Sequence, residues 1–263
     1  MTHWLYLYAR LFAQFPGRKR NGPLRYGAPL ARTRAGPRHL AAVSLTALWA
    51  IAGVSASLYG TASAANDETV IVALGDSLTA GFGVVSNDSF PVRLEASLRG
   101  AGIAARVVNA GVSGDTSAGG LARLDWVLAG DPAVRPDLVI VELGGNDGLR
   151  GLDPADMEAN LDAILTRLAG KGVPAVLTGM VAPPNMGRAY GDAFNAVFPR
   201  LAARHGVVFY PFFLDGVAAR PALNQRDGIH PNAAGVRVIV ERFTPFVLRA
   251  LAEIEQRAKT NSR

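Results

Sequence analysis

Cysteine is absent from all 263 residues, which excludes disulfides, thiolate nucleophiles and thiolate metal sites together. Histidine is scarce: His3, His39, His205 and His230 are the full set, and no two stand at a metal-ligating spacing. The Asp153/Asp156 pair has no calcium loop around it. Phosphate-binding signatures are missing too. Gly75 to Gly81 has no lysine at the phosphate-gripping position, and Gly81-Phe82-Gly83 lacks the third glycine and the downstream acid of a dinucleotide fingerprint. No metal and no cofactor is expected.

Acidic residues are absent before Asn66, where Arg10, Arg18, Lys19, Arg20, Arg25, Arg32, Arg34 and Arg38 accumulate. This one stretch accounts for the pI of about 10.0. The rest of the chain is nearly neutral, with 19 basic residues against 21 acidic, so no nucleic-acid partner is expected. Arg32, Arg34 and Arg38 precede an uncharged run from Leu40 to Gly60, and Ala62-Ser63-Ala64 follows in the small-x-small form that a signal peptidase accepts. Residues 1–64 read as a leader that exports the protein to a periplasmic or secreted location. The uncharged run approaches the roughly 20 residues of a spanning helix, so an uncleaved anchor is the alternative. Ser44, Thr46, Ser55 and Ser57 dilute the run and favour cleavage.

Residues 65–256 are ample for one domain, and 257–263 form a polar tail. There is no internal repeat. Val70 to Leu74, Ala105 to Asn109, Leu138 to Leu143, Ala175 to Gly179 and Val207 to Tyr210 are short, continuous apolar runs, as expected of strands covered on both faces. Helical stripes separate them: Phe90/Leu94/Leu98, then Leu121/Leu124/Leu128, then Leu161/Ile164/Leu165/Leu168 behind an Asp153-Pro154 cap. Phe194/Phe198/Leu201 begin a fourth, and Val236 to Leu251 closes the chain. Strand and helix alternate about five times, which predicts an α/β fold: a three-layer α/β/α sandwich on a five-stranded parallel sheet. Ligands of such sheets sit at the carboxyl ends of the strands, where strand order reverses.

The polar motifs fall at those ends. Gly75-Asp76-Ser77-Leu78 follows the first strand, Ser113-Gly114-Asp115 the second and Gly144-Gly145-Asn146-Asp147 the third, while Asp227-Gly228-Ile229-His230-Pro231 precedes the last helix. Ser77, His230 and Asp227 offer a nucleophile, a base to take its proton and a carboxylate to fix the imidazole. Each also has an ordinary structural use, Ser77 as a helix cap and Asp227 as a turn former.

Read in order, these four blocks resemble those of the SGNH (GDSL) hydrolase family, from about Thr69 to about Leu251. Ser113-Gly114-Asp115-Thr116-Ser117, Gly120-Leu121-Ala122-Arg123-Leu124 and Asp227 to Asn232 are most similar to its bacterial periplasmic thioesterase, arylesterase and lysophospholipase group. The resemblance implies a flavodoxin-like fold and a Ser77-His230-Asp227 triad. It also implies an oxyanion hole from the Ser77 and Gly114 N–H groups and the Asn146 amide. By the same resemblance, the loop after the fourth strand shapes an acyl pocket, with Met180, Val181, Pro183, Pro184 and Met186 as its candidates; Phe212, Phe213 and Leu214 offer further apolar surface. The implied substrate is a small acyl ester, thioester or lipid, handled by a monomer in transient membrane contact. A carbohydrate O-acetylesterase, or an envelope binding module without catalysis, are the alternatives.

Overall fold

The computed structural model describes residues 68–129 and 135–261; the leader assigned to residues 1–64 lies outside them. Five strands form the sheet: β1 (Thr69–Gly75), β2 (Ala105–Gly111), β3 (Leu138–Glu142), β4 (Ala175–Thr178) and β5 (Val208–Tyr210). All pair in parallel, in the order β2-β1-β3-β4-β5. The helices are α1 (Ser77–Ala80), α2 (Phe90–Gly100), α3 (Ser117–Ala129), α4 (Gly145–Arg150), α5 (Pro154–Gly170), α6 (Arg188–His205) and α7 (Ala233–Asn261). Helix α2 packs on α7, while α5 packs between α3 and α6, giving the predicted sandwich.

Burial explains why the central runs were readable as strands. Every residue of β3 is buried, as are six of the seven in β1, because helices cover both faces. Strand β2 departs from that expectation: it is an edge strand whose burial alternates, and Asn109 is exposed. On one face Phe90 meets Phe213 and Phe243 edge-on, with ring centroids 5.0 and 5.6 Å apart. On the other, Leu161, Ile164, Leu165 and Leu168 of α5 form one buried stripe. Truncating any of these leucines to Ala would cost about 2–5 kcal/mol.

Local signals set the helix ends. Asp153 accepts from the Ala155 N–H at 2.8 Å and Pro154 opens α5, the predicted cap. Helix α7 runs on past Leu251 to Asn261, so the polar residues set apart from 257 continue it. Ion pairs Arg249–Glu253 and Lys259–Glu255, one turn apart, support that extension.

The chain passes from β1 outward to β2, then returns to place β3 on the other side of β1. That reversal opens a crevice beyond the carboxyl ends of β1 and β3. Gly75 pairs in register with Gly111 on one side and Glu142 on the other, so the three loops that follow leave the sheet side by side.

Candidate active site

Ser77 is the first residue of α1, directly after β1. Asp76 caps this helix, accepting from the Leu78 N–H at 2.9 Å. The helix is a single turn, closed by Gly81, so Ser77 owes its placement to a sharp strand-to-helix bend and little to a helix dipole. Strand β2 passes close beneath. A Cβ on Gly111 would lie 2.2 Å from the Ala80 nitrogen, so no side chain fits there.

His230 arrives from the loop before α7. Its Nε2 lies 2.9 Å from Ser77 Oγ, and its Nδ1 lies 2.7 Å from Asp227 Oδ2. Asp227 Oδ1 accepts the backbone N–H groups of Ile229 and His230, both at 3.0 Å, which locks the tight turn. Burial pushes the Asp227 carboxyl up, but the His230 N–H, the imidazole and the Ile229 N–H outweigh it and hold it below the usual range. Gln225 ties this loop to the one after α1, donating to the Phe82 carbonyl at 2.7 Å and the Pro231 carbonyl at 3.0 Å. Phe82 lies against the imidazole, ring centroids 4.6 Å apart.

The second and third blocks converge on the same point. Gly114 sits at φ +88°, a conformation that favours glycine, in the turn closed by the Asp115 N–H to Val112 carbonyl bond. Arg150 donates to the Gly114 carbonyl at 2.6 Å. Asn146 lies in α4 rather than in a loop, and its amide donates to Asp76 Oδ2 at 2.9 Å. An amide nitrogen carries two protons, so one remains for a substrate oxygen. Asp147 braces the start of α3, accepting the Ser117 N–H at 2.8 Å and its hydroxyl at 2.6 Å.

Beneath these groups lie two buried carboxyls. Burial pushes Asp76 up to about 6, against the Leu78 N–H, the charge of His230, the Asn146 amide and Glu142. Glu142, fully buried at the end of β3, is pushed well above the ordinary range by burial and then by the Asp76 charge. Its Oε2 accepts the Thr79 hydroxyl at 2.8 Å. Among the described residues no cluster of three His, Asp or Glu side chains could hold a metal.

Ser77, Gly114, Asn146 and His230 line one crevice of about 320 Å³. Of the predicted acyl-pocket residues, Met180, Val181 and Pro183 line it as well. Pro184 does not; it faces an adjoining cavity of about 620 Å³ that shares Val181, Pro183 and Phe212. Met186 lines neither cavity. The short 3₁₀ turn Pro184–Met186 directs it away, and its methyl group packs against Gly151. Phe212 and Leu214 line the crevice while Phe213 is core. Sequence reasoning missed Phe82, Leu149 and Ile229, which complete the apolar wall.

A serine, an imidazole and a carboxylate in hydrogen-bonded series, in one crevice with Gly114 and the Asn146 amide, can carry out acyl transfer. Comparison with known proteins fits that chemistry: the profile of the GDSL-like lipase/acylhydrolase family matches residues 73–238. The chain belongs to this family. As a GDSL-type enzyme it is an ester hydrolase. It is 42% identical over 178 residues to esterase TesA of Pseudomonas aeruginosa, covering 68% of this chain and 87% of the relative. It is 41% identical over 169 residues to thioesterase 1/protease 1/lysophospholipase L1 of Escherichia coli, covering 64% and 78%. Among solved structures, the SGNH-hydrolase family esterase AlinE4 superposes with a TM-score of 0.60 at 49% identity, covering 70% of this chain and 97% of that one.

Proposed function

We propose that this GDSL-type hydrolase is exported and cleaves apolar carboxylic esters and thioesters through an acyl-serine intermediate. One observation carries the reading: His230 bridges Ser77 at 2.9 Å and Asp227 at 2.7 Å at the floor of an apolar crevice. In the forward step Ser77 Oγ attacks the acyl carbon as its proton passes to His230 Nε2. The tetrahedral oxyanion is met by the Ser77 and Gly114 N–H groups and the free amide proton of Asn146. His230 then protonates the departing alcohol or thiol, the acyl chain stays on Ser77, and a water activated by the same imidazole releases the acid.

Substrate class follows from the walls. Leu78, Phe82, Leu149, Val181, Phe212 and Ile229 surround the reacting centre, and such lining suits an acyl chain better than a sugar. The names of the relatives, an esterase and a thioesterase/lysophospholipase, support this reading. Export rests on the basic and then uncharged leader.

The test is a substrate series of p-nitrophenyl esters and acyl thioesters of increasing chain length beside acetylated glycans. Faster turnover of the acyl chains is expected. Preference for the glycans would assign the enzyme to carbohydrate deacetylation instead.

A further inference from the structure

The segment Gly120-Leu121-Ala122-Arg123-Leu124 has no part in the site described so far, yet Arg123 reaches its underside. The three guanidinium nitrogens go to three different acceptors, two backbone carbonyls and one carboxylate. Nε donates to Asp115 Oδ2 at 2.6 Å, Nη1 to the Ala110 carbonyl at 2.7 Å and Nη2 to the Gly75 carbonyl at 2.9 Å. Gly75 ends β1, two residues before Ser77. Ala110 lies at the end of β2, and Asp115 directly follows Gly114. The ion pair is largely shielded, with side chains 17% and 19% exposed.

These bonds extend the backbone pairing of β1 with β2, which ends at Gly75 and Gly111. Val112 N–H donates to the same Gly75 carbonyl at 3.0 Å, and the Gly114 turn then leaves the sheet. From that point Arg123 holds both ends of the turn: Ala110 before it and Asp115 after it. A planar guanidinium with five fixed donors can serve three divergent acceptors at once, and a lysine ammonium on a flexible stem cannot match that fork.

We infer that Arg123 is a positioning residue for ester hydrolysis, holding the Gly114 N–H in register with Ser77 so that both donors meet the same oxyanion. The inference rests on the proposed role of Gly114 as an oxyanion donor. It acts on transition-state stabilisation, because the acyl walls at Met180, Val181 and Phe212 belong to other loops.

The test is kinetic, on the full chain with a short p-nitrophenyl ester. Arg123→Ala is expected to lower kcat about 10- to 100-fold, the scale of a donor misplaced by about an ångström, with KM within about threefold of wild type. Arg123→Lys should recover little of it, and added ethylguanidinium should restore part of the Arg123→Ala rate where ethylammonium does not. Combining Asp115→Asn with Arg123→Ala should cost no more than Arg123→Ala alone. If the alanine variant fails to fold, Arg123→Lys and Asp115→Asn carry the test, each with its melting temperature recorded. A wild-type kcat in Arg123→Lys, a loss confined to KM, or a loss that matches the unfolded fraction would overturn the inference. Fluorophosphonate labelling of wild type separates the two levels: labelled Ser77 with unchanged Arg123 variants defeats this inference alone, and unlabelled Ser77 defeats the underlying reading.

Discussion

The Asn146 amide donates to Asp76 Oδ2 at 2.9 Å, while the other Asp76 oxygen accepts from Leu78 N–H at 2.9 Å beside Ser77. One buried carboxylate therefore ties together two structural parts, α1 after β1 and α4 after β3. Asn146→Ala should lower kcat about 100- to 1,000-fold, the usual effect of removing one oxyanion donor. Asp76→Ala should act in the same direction through misorientation of that amide, and also cost about 1 kcal/mol for the lost cap. Steady-state kinetics with denaturant titration distinguishes the two effects; an Asp76→Ala enzyme of full kcat would detach Asp76 from Asn146.

The acid limb of kcat/KM should be steeper than one proton. General-base catalysis by the triad alone requires the loss of one proton on the acid side. Burial adds another, because the Asp76 carboxyl is pushed up to about 6, and protonation weakens it as the acceptor that orients the Asn146 amide. A log-rate slope above one on the acid side is the expected outcome, and a slope of one throughout counts against a coupled role for Asp76.

Stability should respond to pH through three carboxyls, Asp76 and Glu142 with one sign and Asp227 with the other. Asp76 and Glu142 keep their protons to higher pH when folded than when unfolded. They favour the folded state at low pH, and that contribution fades as pH rises through the folded values, about 6 for Asp76. Asp227, held below its ordinary range, contributes above that range and loses its contribution as pH falls through the lowered value. Glu142→Gln removes one of the fading terms. Its denaturation midpoint should therefore gain on wild type as pH is raised, and a constant difference would show that Glu142 does not titrate with folding.

Asp227→Asn should keep the fold and lose about three to four powers of ten in kcat, because an amide facing Nδ1 favours the wrong tautomer. The turn itself survives, since an amide oxygen still accepts the Ile229 and His230 N–H groups. Comparable activity in the Asn variant would mean that another group orients the imidazole.

Much of this architecture was legible in the sequence because burial on both faces leaves few options for runs such as Val70 to Leu74. The site blocks were legible for a different reason: acyl transfer needs particular side chains in one crevice, and Ser77 and Asn146 follow strands β1 and β3 while Asp227 and His230 precede the last helix. Side-chain direction was not legible. Met186 shares a loop with Val181, yet a 3₁₀ turn aims it at Gly151. Phe82 reaches His230 where the bond from Gln225 to its carbonyl ties the two loops together, a contact 143 residues apart in the chain. Glu142 carries a sequence signal of its own, an acid within an apolar strand.

Fluorophosphonate labelling followed by peptide mapping tests the union of Ser77 and His230 most directly. The expected result is one adduct per chain on the Ser77 peptide with matching loss of hydrolysis, no adduct in Ser77→Ala, and labelling of His230→Gln slowed by about three powers of ten or more. An adduct on another residue, or a Ser77→Ala enzyme turning over within about tenfold of wild type, would contradict the account.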